Sequence, residues 1–392
     1  MKILFISQFY YPENFVTYKI AETLASFGHD VHVITGKPNY GYGYILPQYK
    51  KIKDEVINGV KVHRVNIVAR KKSRLSIVLN YLSFWINSKR YVGKIKTQFD
   101  VVYSFQLSPV TILSAGNLYK KKHHVPHIAH CVDLWPESVL ITKAVKEKSL
   151  TYKLLYRWSR RLYEKCDRIL LGSPSFKEYF SNTLKMDTRN MIFVPQPSLV
   201  DGLNCSEVHN YNEGFNILYC GNIGLIQLIE MIPDAMAKIK NPNVKFHIIG
   251  MGPKTADVLK RIEELNLNNK VIYHGPLIAT KAAPYFAGAD ALYVSLLDEG
   301  VVGKTIPNKL VMSMSFAKPI LAMLGGDGAE ILKKTGGAVF SSFSSDSLAS
   351  SIDAISLMSK SELNNMGLSN LEYYKKNFSL TEICRNIEKF LN

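Results

Sequence analysis

Short apolar runs alternate with longer amphipathic stretches along this chain, and the alternation starts again near its middle. In the first half, β-rich runs lie at 2–7, 30–35, 60–65, 100–104, 127–131, 168–172 and 191–194, and helical patterns lie between them at 15–27, 75–91, 109–121 and 150–165. Strands that alternate with helices pair in parallel, because a parallel pair needs a crossover long enough to hold a helix. The first half is therefore predicted to fold as a parallel α/β sheet.

The second half repeats the pattern. Strands are predicted at 216–219, 244–249, 271–274, 291–295 and 319–322, and helices at 226–239, 255–265, 308–316, 345–358 and 360–377. Two such sheets in succession predict two doubly wound, Rossmann-like α/β domains. We place them at 1–198 and 199–379, because the segment 195–213 contains two prolines, a glycine and several polar residues. Ligands of these sheets bind beyond the carboxyl ends of the strands, so two facing domains would hold one substrate on either side of a cleft.

The net positive charge of the chain lies entirely in the first half. Of the 49 Lys and Arg and the 32 Asp and Glu, residues 1–198 hold 31 and 13 respectively. Such an excess favours an anionic partner such as a membrane surface or a phosphorylated substrate, and solubility alone is the simpler alternative. Nucleic acid is not expected as a partner, because no motif interleaves the basic residues with base-stacking aromatics.

Composition narrows the class of protein further. A chain of 392 residues with 47% hydrophobic side chains can bury two cores. The five cysteines include no C-x-x-C pair, which argues against a zinc knuckle or a disulfide framework and fits a reducing cytoplasm. The N-terminal apolar run breaks at Gln8 and is predicted as a strand rather than a signal peptide. No stretch reaches the roughly 18 apolar residues of a spanning helix, so we expect a cytoplasmic protein.

The loop after the first predicted strand carries candidate ligand-binding residues. It contains Phe9, Tyr10, Glu13 and Asn14, and its aromatic rings suit a ligand ring or an apolar chain. Simple packing of these rings is the alternative. The loop has no glycine that would let a pyrophosphate approach the backbone, which excludes a dinucleotide fingerprint.

The segment 127–138, HIAHCVDLWPES, concentrates residue types that perform chemistry. An apolar strand delivers Asp133 and Glu137 to its carboxyl end, where Asp133 is a candidate hydrogen-bond acceptor or general base for a hydroxyl. Glu137 could instead be a favourable charge at a helix N-terminus. His130 lies within the strand and could contact a ligand or be a satisfied core residue.

Glycine-rich turns and lysines mark the second half. After two predicted strands, turns that would let a phosphate approach the backbone contain Gly221, Asn222 and Gly224, and then Gly250 and Gly252. The segment 303–309, GKTIPNK, precedes a helix and suits a diphosphate, and its polar residues are Lys304, Thr305, Asn308 and Lys309. The alternative is a solvated turn in which Asn308 caps the helix. No Walker sequence, H-E-x-x-H pair, nucleophile elbow or metal-ligand cluster occurs, which disfavours kinase, zinc protease and α/β-hydrolase chemistry.

The order of several segments resembles bacterial glycosyltransferases of family 4, especially those that build O-antigen or capsular polysaccharide. The segments are KILFI at 2–6, DLWPES at 133–138, GNIG at 221–224, GMGP at 250–253, TIPNK at 305–309 and KPIL at 318–321. The resemblance spans nearly the whole chain. It implies a GT-B fold, transfer with retention of anomeric configuration, and no obligatory metal or other cofactor. It also implies a helix at about 380–392 that packs back on the first domain.

The resemblance assigns roles to the candidate residues. It implies that the C-terminal domain binds a nucleotide-sugar donor, expected to be UDP-linked, and that the N-terminal domain binds the acceptor. The implied catalytic residues are Asp133, Glu137 and Lys304. The implied donor-binding residues are Gly221, Asn222, Gly224, Gly250, Gly252, Lys304, Thr305, Asn308, Lys309 and Met312. The implied acceptor-binding residues are Phe9, Tyr10, Glu13, Asn14 and His130.

Three departures from the family pattern leave other functions open. Met312 stands where the family commonly has a glutamate that binds the nucleotide ribose, and a thioether is a poor acceptor for a hydroxyl. Asn308 replaces a serine, and Val132 replaces a histidine. The alternatives are a sugar-nucleotide epimerase of the same fold and a catalytically impaired binding or scaffold protein of a glycan assembly.

A basic run at 70–74, RKKSR, precedes an apolar helical pattern at 75–88. Ser76, Asn80, Ser83 and Asn87 recur there at helical spacing and leave a broad apolar face. A basic lead-in with Trp and Phe suits a helix that lies in a membrane surface, and a wholly buried helix is the alternative. With the lysines at 120–122, we expect attachment to the anionic inner face of the plasma membrane. The expected acceptor is then a polyprenyl-diphosphate-linked or saccharide one.

Overall fold

The computed structural model describes residues 1–71, 73–141, 145–147, 149–211 and 213–391. The chain divides into two compact units. Unit 1 comprises Met1–Leu199 together with Leu380–Asn392, and unit 2 comprises Val200–Ser379. Each unit is an α/β domain with its own sheet.

The sheet of unit 1 has eight strands within the described residues. They are β1 (Lys2–Ile6), β2 (Asp30–Gly36), β3 (Asp54–Ile57), β4 (Val60–Val65), β5 (Val101–Gln106), β6 (His127–Cys131), β7 (Arg168–Leu171) and β8 (Met191–Phe193). Their order is β3-β4-β2-β1-β5-β6-β7-β8, and β3 alone runs antiparallel to its neighbour. The helices of this part of the chain are α1 (Thr17–Ser26), α2 (Arg74–Val92), α3 (Leu113–His123), α4 (Glu137–Ile141), α5 (Leu150–Tyr163) and α6 (Phe176–Glu178).

Unit 2 has a parallel sheet with six strands in the described part of the chain. They are β9 (Phe215–Cys220), β10 (Val244–Ile249), β11 (Val271–Gly275), β12 (Ala291–Ser295), β13 (Ile320–Met323) and β14 (Ala338–Phe340), in the order β11-β10-β9-β12-β13-β14. Its helices are α7 (Met231–Met236), α8 (Thr255–Glu264), α9 (Ala279–Gly288), α10 (Asn308–Met314), α11 (Gly326–Thr335), α12 (Ser345–Ser356) and α13 (Lys360–Asn377). The strand order reverses at β9, as it does at β1 in unit 1, and the crevice at such a reversal is where ligands of these sheets bind.

A last helix, α14 (Leu380–Leu391), belongs to unit 1 although it follows unit 2 in the chain. Its side chains Ile383, Cys384, Ile387 and Leu391 are buried in the core of unit 1, where they pack with α1 and the sheet. Burying four such side chains contributes several kcal/mol to unit 1 at about 1.5–3 kcal/mol for each large one.

Some elements differ from the sequence-based expectation. The helix expected at 226–239 is shorter, because Leu228 adopts a left-handed conformation (φ 55°) that a continuous helix does not allow, and α7 starts after it. Strand β3 was not predicted, although Asn58 and Gly59, both with positive φ, form the tight turn that joins it to β4. Helices α9 and α11 were also missed, since Pro284 interrupts the first pattern and the second begins at Gly326.

Helix α2 turns polar side chains toward the protein and large apolar side chains toward solvent, which is the reverse of the usual amphipathic helix. Ser76, Asn80 and Ser88 are buried, together with Phe84. The large side chains of the other face are exposed, with relative exposures of 68% for Leu75, 51% for Val78, 41% for Leu79, 40% for Ile86 and 38% for Leu82.

The polar stripe of α2 bonds to the rest of unit 1. The Ser83 hydroxyl accepts a hydrogen bond from the Val68 amide at 2.9 Å, and the Asn87 side chain donates to the Asn66 carbonyl at 2.7 Å. The alternative of a wholly buried helix is wrong, since one face of α2 is exposed, and polar groups help the buried Phe84 to fix the other face to the unit.

Within the described ranges, no helix combines the length and apolarity needed to cross a bilayer. In the basic run at 70–74, Lys72 lies outside the described residues. The neighbouring Arg70 contacts Tyr40 and Tyr81, with its guanidinium 5.2 and 5.1 Å from the two ring centres.

Candidate active site

Asp133 lies just beyond the carboxyl end of β6, at the edge of the sheet where a ligand of unit 1 is expected. Its carboxylate accepts a hydrogen bond from the Ser108 hydroxyl, which lies 3.0 Å from that of Ser138. The Gln106 side-chain amide donates a hydrogen bond to the Asp133 main-chain oxygen at 3.0 Å. Burial raises the pKa of Asp133 to about 6, and hydrogen bonds from the two serines limit the rise. A carboxylate held in this way can orient an incoming hydroxyl and accept a hydrogen bond from it.

Tyr81 and Arg70 form an aromatic and cationic pair within electrostatic reach of Asp133. Burial raises the pKa of the Tyr81 phenol, and among the further causes the charge of Asp133 acts in the same direction. The Arg70 guanidinium donates to the Tyr81 hydroxyl at 2.6 Å. The site of unit 1 thus offers a carboxylate, hydroxyl groups, aromatic faces and one cation, which is the chemistry that a polyhydroxylated ligand requires.

Glu137 is held by two phenols. It starts α4, and its Oε1 accepts hydrogen bonds from Tyr152 at 2.5 Å and from Tyr179 at 3.1 Å. The carboxylate is 8% exposed. These hydrogen bonds fix the Glu137 side chain within the unit. A catalytic role for Glu137 stays a prediction.

His130 is a satisfied core residue, so its prediction as an acceptor-binding residue is wrong. It has no exposed surface. One ring nitrogen lies 2.6 Å from the Tyr103 hydroxyl and the other lies 2.8 Å from the Val194 carbonyl oxygen. Burial lowers the pKa of His130 to about 4, which keeps it neutral.

The loop after β1 mixes buried and exposed residues. Phe9 is buried and stacks on Phe15 with ring centres 4.5 Å apart, and Tyr10 is fully buried. These two rings pack within the protein, which was the alternative to ligand binding. Their prediction as acceptor-binding residues is therefore wrong. Asn14 is exposed.

Glu13 is buried and fixes a neighbouring loop. Its Oε1 accepts hydrogen bonds from the backbone amides of Asn39 at 2.7 Å and Tyr40 at 2.6 Å. Burial raises the pKa of Glu13, and those two bonds oppose the rise. Its buried Oε2 has no hydrogen-bond partner among the described residues.

A buried amide network that the sequence did not reveal supports this site. The Gln8 side chain donates to Asn80 at 2.8 Å, and the Asn80 side chain donates to Asn39 at 3.1 Å and to the Val68 carbonyl at 2.6 Å. The network connects the loops after β1 and β2 to α2. Its one visible signal was a regularly spaced asparagine inside an apolar helix.

In unit 2, the turns after β9 and β10 touch each other through their backbones. Gly221 and Gly250 have φ values of 150° and 137°. A Cβ added to Gly250 would lie 1.8 Å from the Gly221 carbonyl oxygen, and the Ile223 amide donates to the Met251 carbonyl at 3.1 Å. Only glycine allows this approach, because both the space and the conformation exclude a side chain.

The remaining residues of these turns are also tightly placed. A Cβ added to Gly252 would lie 2.3 Å from the Ile223 carbonyl oxygen, and one added to Gly224 would lie 2.5 Å from the Asn222 side-chain nitrogen. Asn222 is exposed. The structure therefore brings Gly221, Asn222, Gly224, Gly250 and Gly252 together at the carboxyl edge of the sheet, and their role in binding a donor stays a prediction.

Lys309 joins this cluster from α10. A Cβ added to Gly221 would lie 2.3 Å from Lys309 Cε, and the Lys309 ammonium donates to the Tyr219 hydroxyl and lies 4.4 Å from the centre of its ring. Among the described residues no carboxylate forms an ion pair with it. Burial lowers the pKa of Lys309 to about 8. A partly desolvated cation without a carboxylate partner, beside two glycine turns, is the element of this unit best suited to an anion.

The start of α10 differs from the expected cap. Pro307 is the N-cap residue and no side chain caps the helix, so the alternative in which Asn308 caps it is wrong, and Asn308 is exposed as the first helical residue. The Thr305 hydroxyl donates to the Val301 carbonyl at 3.1 Å. Lys304 is half-buried in the same turn.

Asp298 is a further residue that sequence reasoning missed. Its carboxylate lies in a space made by glycines, since a Cβ added to Gly325 would lie 1.9 Å from Oδ2 and one added to Gly303 would lie 2.2 Å from Oδ1. The carboxylate therefore contacts the two loops that precede α10 and α11. Asp298 is itself exposed, and its proximity to Gly325 has no sequence signal, because Gly325 belongs to a later segment of the chain.

Met312 packs against an apolar cluster of unit 2 that contains Leu218, Phe286 and Phe316. Its thioether thus has apolar neighbours where the family commonly places a ribose-binding carboxylate. Its prediction as a donor-binding residue remains a prediction.

Comparison with known proteins agrees with both units. The description "Glycosyl transferase 4-like domain" matches residues 14–197, and "Glycosyl transferases group 1" matches residues 214–356. The chain is therefore a glycosyltransferase with a 4-like domain in its N-terminal half and a group 1 domain in its C-terminal half, which confirms the resemblance to glycosyltransferases found in the sequence. It is 26% identical over 214 residues to the probable glycosyltransferase WbjE of Pseudomonas aeruginosa, a match that covers 52% of this chain and 53% of WbjE. The chain thus spans about half the length of the curated relative that it matches.

Solved structures confirm the fold. A glycosyltransferase from Rickettsia africae has a TM-score of 0.72 at 14% identity, covering 100% of this chain and 97% of its own. Anabaena HepE in complex with UDP and glucose has a TM-score of 0.70 at 14% identity, covering 100% and 99%. WaaG, a glycosyltransferase involved in lipopolysaccharide biosynthesis, has a TM-score of 0.70 at 12% identity, covering 100% and 99%. The chain has the GT-B fold.

Proposed function

We propose that this protein transfers a sugar, with retention of anomeric configuration, from a nucleotide-linked donor to an acceptor hydroxyl. The observation that carries the proposal is the half-buried Lys309 ammonium beside the Gly221 and Gly250 turns. A cation that is desolvated without a counter-ion is costly by itself and is stabilised when an anion arrives. The two linked phosphates of a nucleotide-sugar supply that anion. Unit 2 is therefore assigned the donor and unit 1 the acceptor.

Charge changes during the reaction fit these residues. As the bond from the sugar to the diphosphate breaks, the sugar gains cationic character and the diphosphate gains negative charge. Lys309 and Lys304 stabilise the departing diphosphate electrostatically, as fixed groups that need no rearrangement. Asp133 orients the acceptor hydroxyl, whose oxygen forms the new bond and whose proton passes to an oxygen of the diphosphate. Metal independence is part of this proposal and rests on the lysines.

The finer identity of the substrates is also proposed. Anabaena HepE binds UDP and glucose, and WaaG acts in lipopolysaccharide biosynthesis. By similarity, we assign this chain a UDP-linked hexose or N-acetylhexosamine and a role in the biosynthesis of a bacterial surface polysaccharide, such as O-antigen or capsule. The acceptor is a polyprenyl-diphosphate-linked or saccharide one.

Two features of unit 1 support a membrane location for the acceptor. The exposed apolar face of α2 would lie in the interface between headgroups and acyl chains, and the excess positive charge of residues 1–198 would face an anionic leaflet. We therefore propose a peripheral protein on the cytoplasmic face of the plasma membrane.

Thermal shift with UDP-, GDP- and dTDP-sugars tests the proposal. We expect stabilisation by one nucleotide class, and its loss in Lys304→Gln. Lys334→Gln is the matched control, because Lys334 is an exposed lysine of the same unit outside the site. Binding of one ligand at 100 times its Kd stabilises by about 2.7 kcal/mol.

Turnover separates the transferase from its alternatives. A transferase releases nucleotide diphosphate only when an acceptor is present, whereas an epimerase converts the donor sugar without one. A scaffold protein shows no stabilisation by any nucleotide, and that result would refute the proposal.

A further inference from the structure

A pocket of about 570 Å³ lies on unit 1 between α2, α3 and α5. Trp85 and Trp158 line it, with ring centres 5.2 Å apart in an edge-to-face contact. Four lysines also line it, Lys89, Lys120, Lys121 and Lys165, and the other lining residues are Ser114, Asn117, Leu118 and Leu162. Neither the proposed transfer reaction nor any predicted site residue uses this pocket.

Two apolar stripes lead into the pocket. Side chains four residues apart lie on one face of a helix, so on α2 the exposed Val78 and Leu82 are followed by Trp85 and then by Lys89.

The same pattern occurs on α5. There, the exposed Leu150 and Leu154 are followed by Trp158 and, just after the helix, by Lys165. Both helices connect parallel strands of one sheet, so they run in the same direction. Each helix therefore presents exposed aliphatic side chains first, then a tryptophan, then a lysine, and the two tryptophans contact each other.

The charges of the pocket are only partly compensated within the chain. Lys120 pairs with Asp167 at 2.7 Å. Lys121 and Lys165 are exposed and form no ion pair with the described residues, and the Lys89 ammonium lies 5.5 Å from the centre of the Trp85 ring. The buried Trp85 indole nitrogen has no acceptor among the described residues. An oxyanion in the pocket would supply both a counter-charge and an acceptor.

We infer that the pocket binds the phosphodiester headgroup of an anionic membrane phospholipid, whose acyl chains lie along the two apolar stripes. The inference deepens the proposed membrane attachment and rests on it. Tryptophan is typical of the depth where headgroups meet acyl chains, and lysine reaches from there to the phosphates. A second copy of this chain is disfavoured as the occupant, because a two-fold contact would place the same lysines against each other.

Intrinsic fluorescence makes the test direct. Trp85 and Trp158 are two of the three tryptophans of the chain, and the third, Trp135, is buried near Asp133. The full chain is titrated with vesicles of phosphatidylcholine alone and of phosphatidylcholine with phosphatidylglycerol. We expect a blue-shifted emission and flotation with the phosphatidylglycerol vesicles, and at least tenfold weaker partitioning to phosphatidylcholine alone.

A pair of charge-matched variants tests whether the pocket itself acts. Lys121→Gln/Lys165→Gln removes two charges from the pocket, and Lys51→Gln/Lys53→Gln removes two exposed charges elsewhere on unit 1. At roughly fivefold in affinity for each lysine near an anionic surface, the pocket variant should lose about 25-fold in partitioning. The control should lose less than threefold. Equal losses in the two variants would show diffuse attraction and overturn the pocket.

Further outcomes separate this inference from the others. The thermal shift that UDP induces is measured on the same variants and should equal that of the wild type. If UDP shifts none of these proteins, that result contradicts the proposed transferase and leaves the pocket unaffected. Equal binding to both vesicle types would overturn the headgroup assignment. A dimer in light scattering that Leu82→Gln converts to monomer would show that a second copy covers the stripe.

Discussion

Replacing Lys309 by methionine should stabilise the empty protein and abolish its affinity for the donor nucleotide. Burial lowers the pKa of Lys309 from 10.5 to about 8. A group whose folded pKa lies below its unfolded value binds fewer protons when folded, so the charged form opposes folding below pH 8. At about 1.36 kcal/mol for each pKa unit, the penalty at neutral pH is about 3 kcal/mol. Methionine has a similar length and no charge, and the Tyr219 hydroxyl keeps its bond to the Asn222 carbonyl.

Calorimetry with and without UDP measures both effects. For a unit of this size, about 1 kcal/mol corresponds to 2–4 °C, so the transition of unit 2 in Lys309→Met should rise by several degrees at pH 7. The difference from wild type should shrink as the pH rises from 8 to 10.5, because the wild-type lysine then loses its charge. Wild-type affinity for UDP should fall about tenfold per pH unit above pH 8, since binding needs the ammonium.

The exposed Lys334 of the same unit provides the control. Lys334→Met should change the transition by less than about 0.5 kcal/mol, as is usual for surface substitutions. A Lys309→Met protein that is no more stable than wild type and that still binds UDP would refute the reasoning, because the ammonium would then be neither costly nor needed.

Three further predictions concern single positions. Transferase turnover should rise with pH through about 6, where Asp133 ionises, and Asp133→Asn should remove that dependence and lower turnover by about 10²-fold or more. In urea unfolding, Gly250→Ala should cost more than about 2 kcal/mol because its Cβ would overlap a carbonyl oxygen, whereas Gly275→Ala, also at positive φ but with no atom within 4 Å, should cost about 1 kcal/mol. Asn80→Leu should cost about 2–4 kcal/mol by leaving buried amide partners unpaired, while Leu79→Asn should be nearly neutral, and the reverse ranking would contradict the orientation of α2.

The sequence predicted the fold well because the buried strands of a parallel sheet are recognisable as short, continuous apolar runs. The run 291–295, ALYVS, is apolar but for its last residue, as strands buried on both faces are, and its predicted bounds agree with the structure. What it could not show was where local conformation overrides a helical pattern. Leu228 is an example, because a leucine with positive φ has no signature of its own.

The candidate site was only partly predictable. Turns that contain glycine after a strand, such as those at Gly221 and Gly250, follow from local sequence, and so does Asp133 after β6. The burial of His130 and the contact between Asp298 and Gly325 depend on segments that are apart in the sequence, and one sequence does not show such contacts. The polar stripe of α2 was visible as a spacing, but whether Asn80 points toward solvent or protein depends on the partners that Gln8 and Asn39 provide.

The return of α14 to unit 1 has a consequence for biosynthesis. Unit 2 is one continuous segment, so all its residues have been made once the ribosome passes residue 379. Unit 1 begins first but lacks Ile383, Cys384, Ile387 and Leu391 until the helix that carries them has emerged. The nascent unit 1 therefore exposes an apolar surface beside α1 while all of unit 2 is translated. A chaperone that covers this surface would act during that interval.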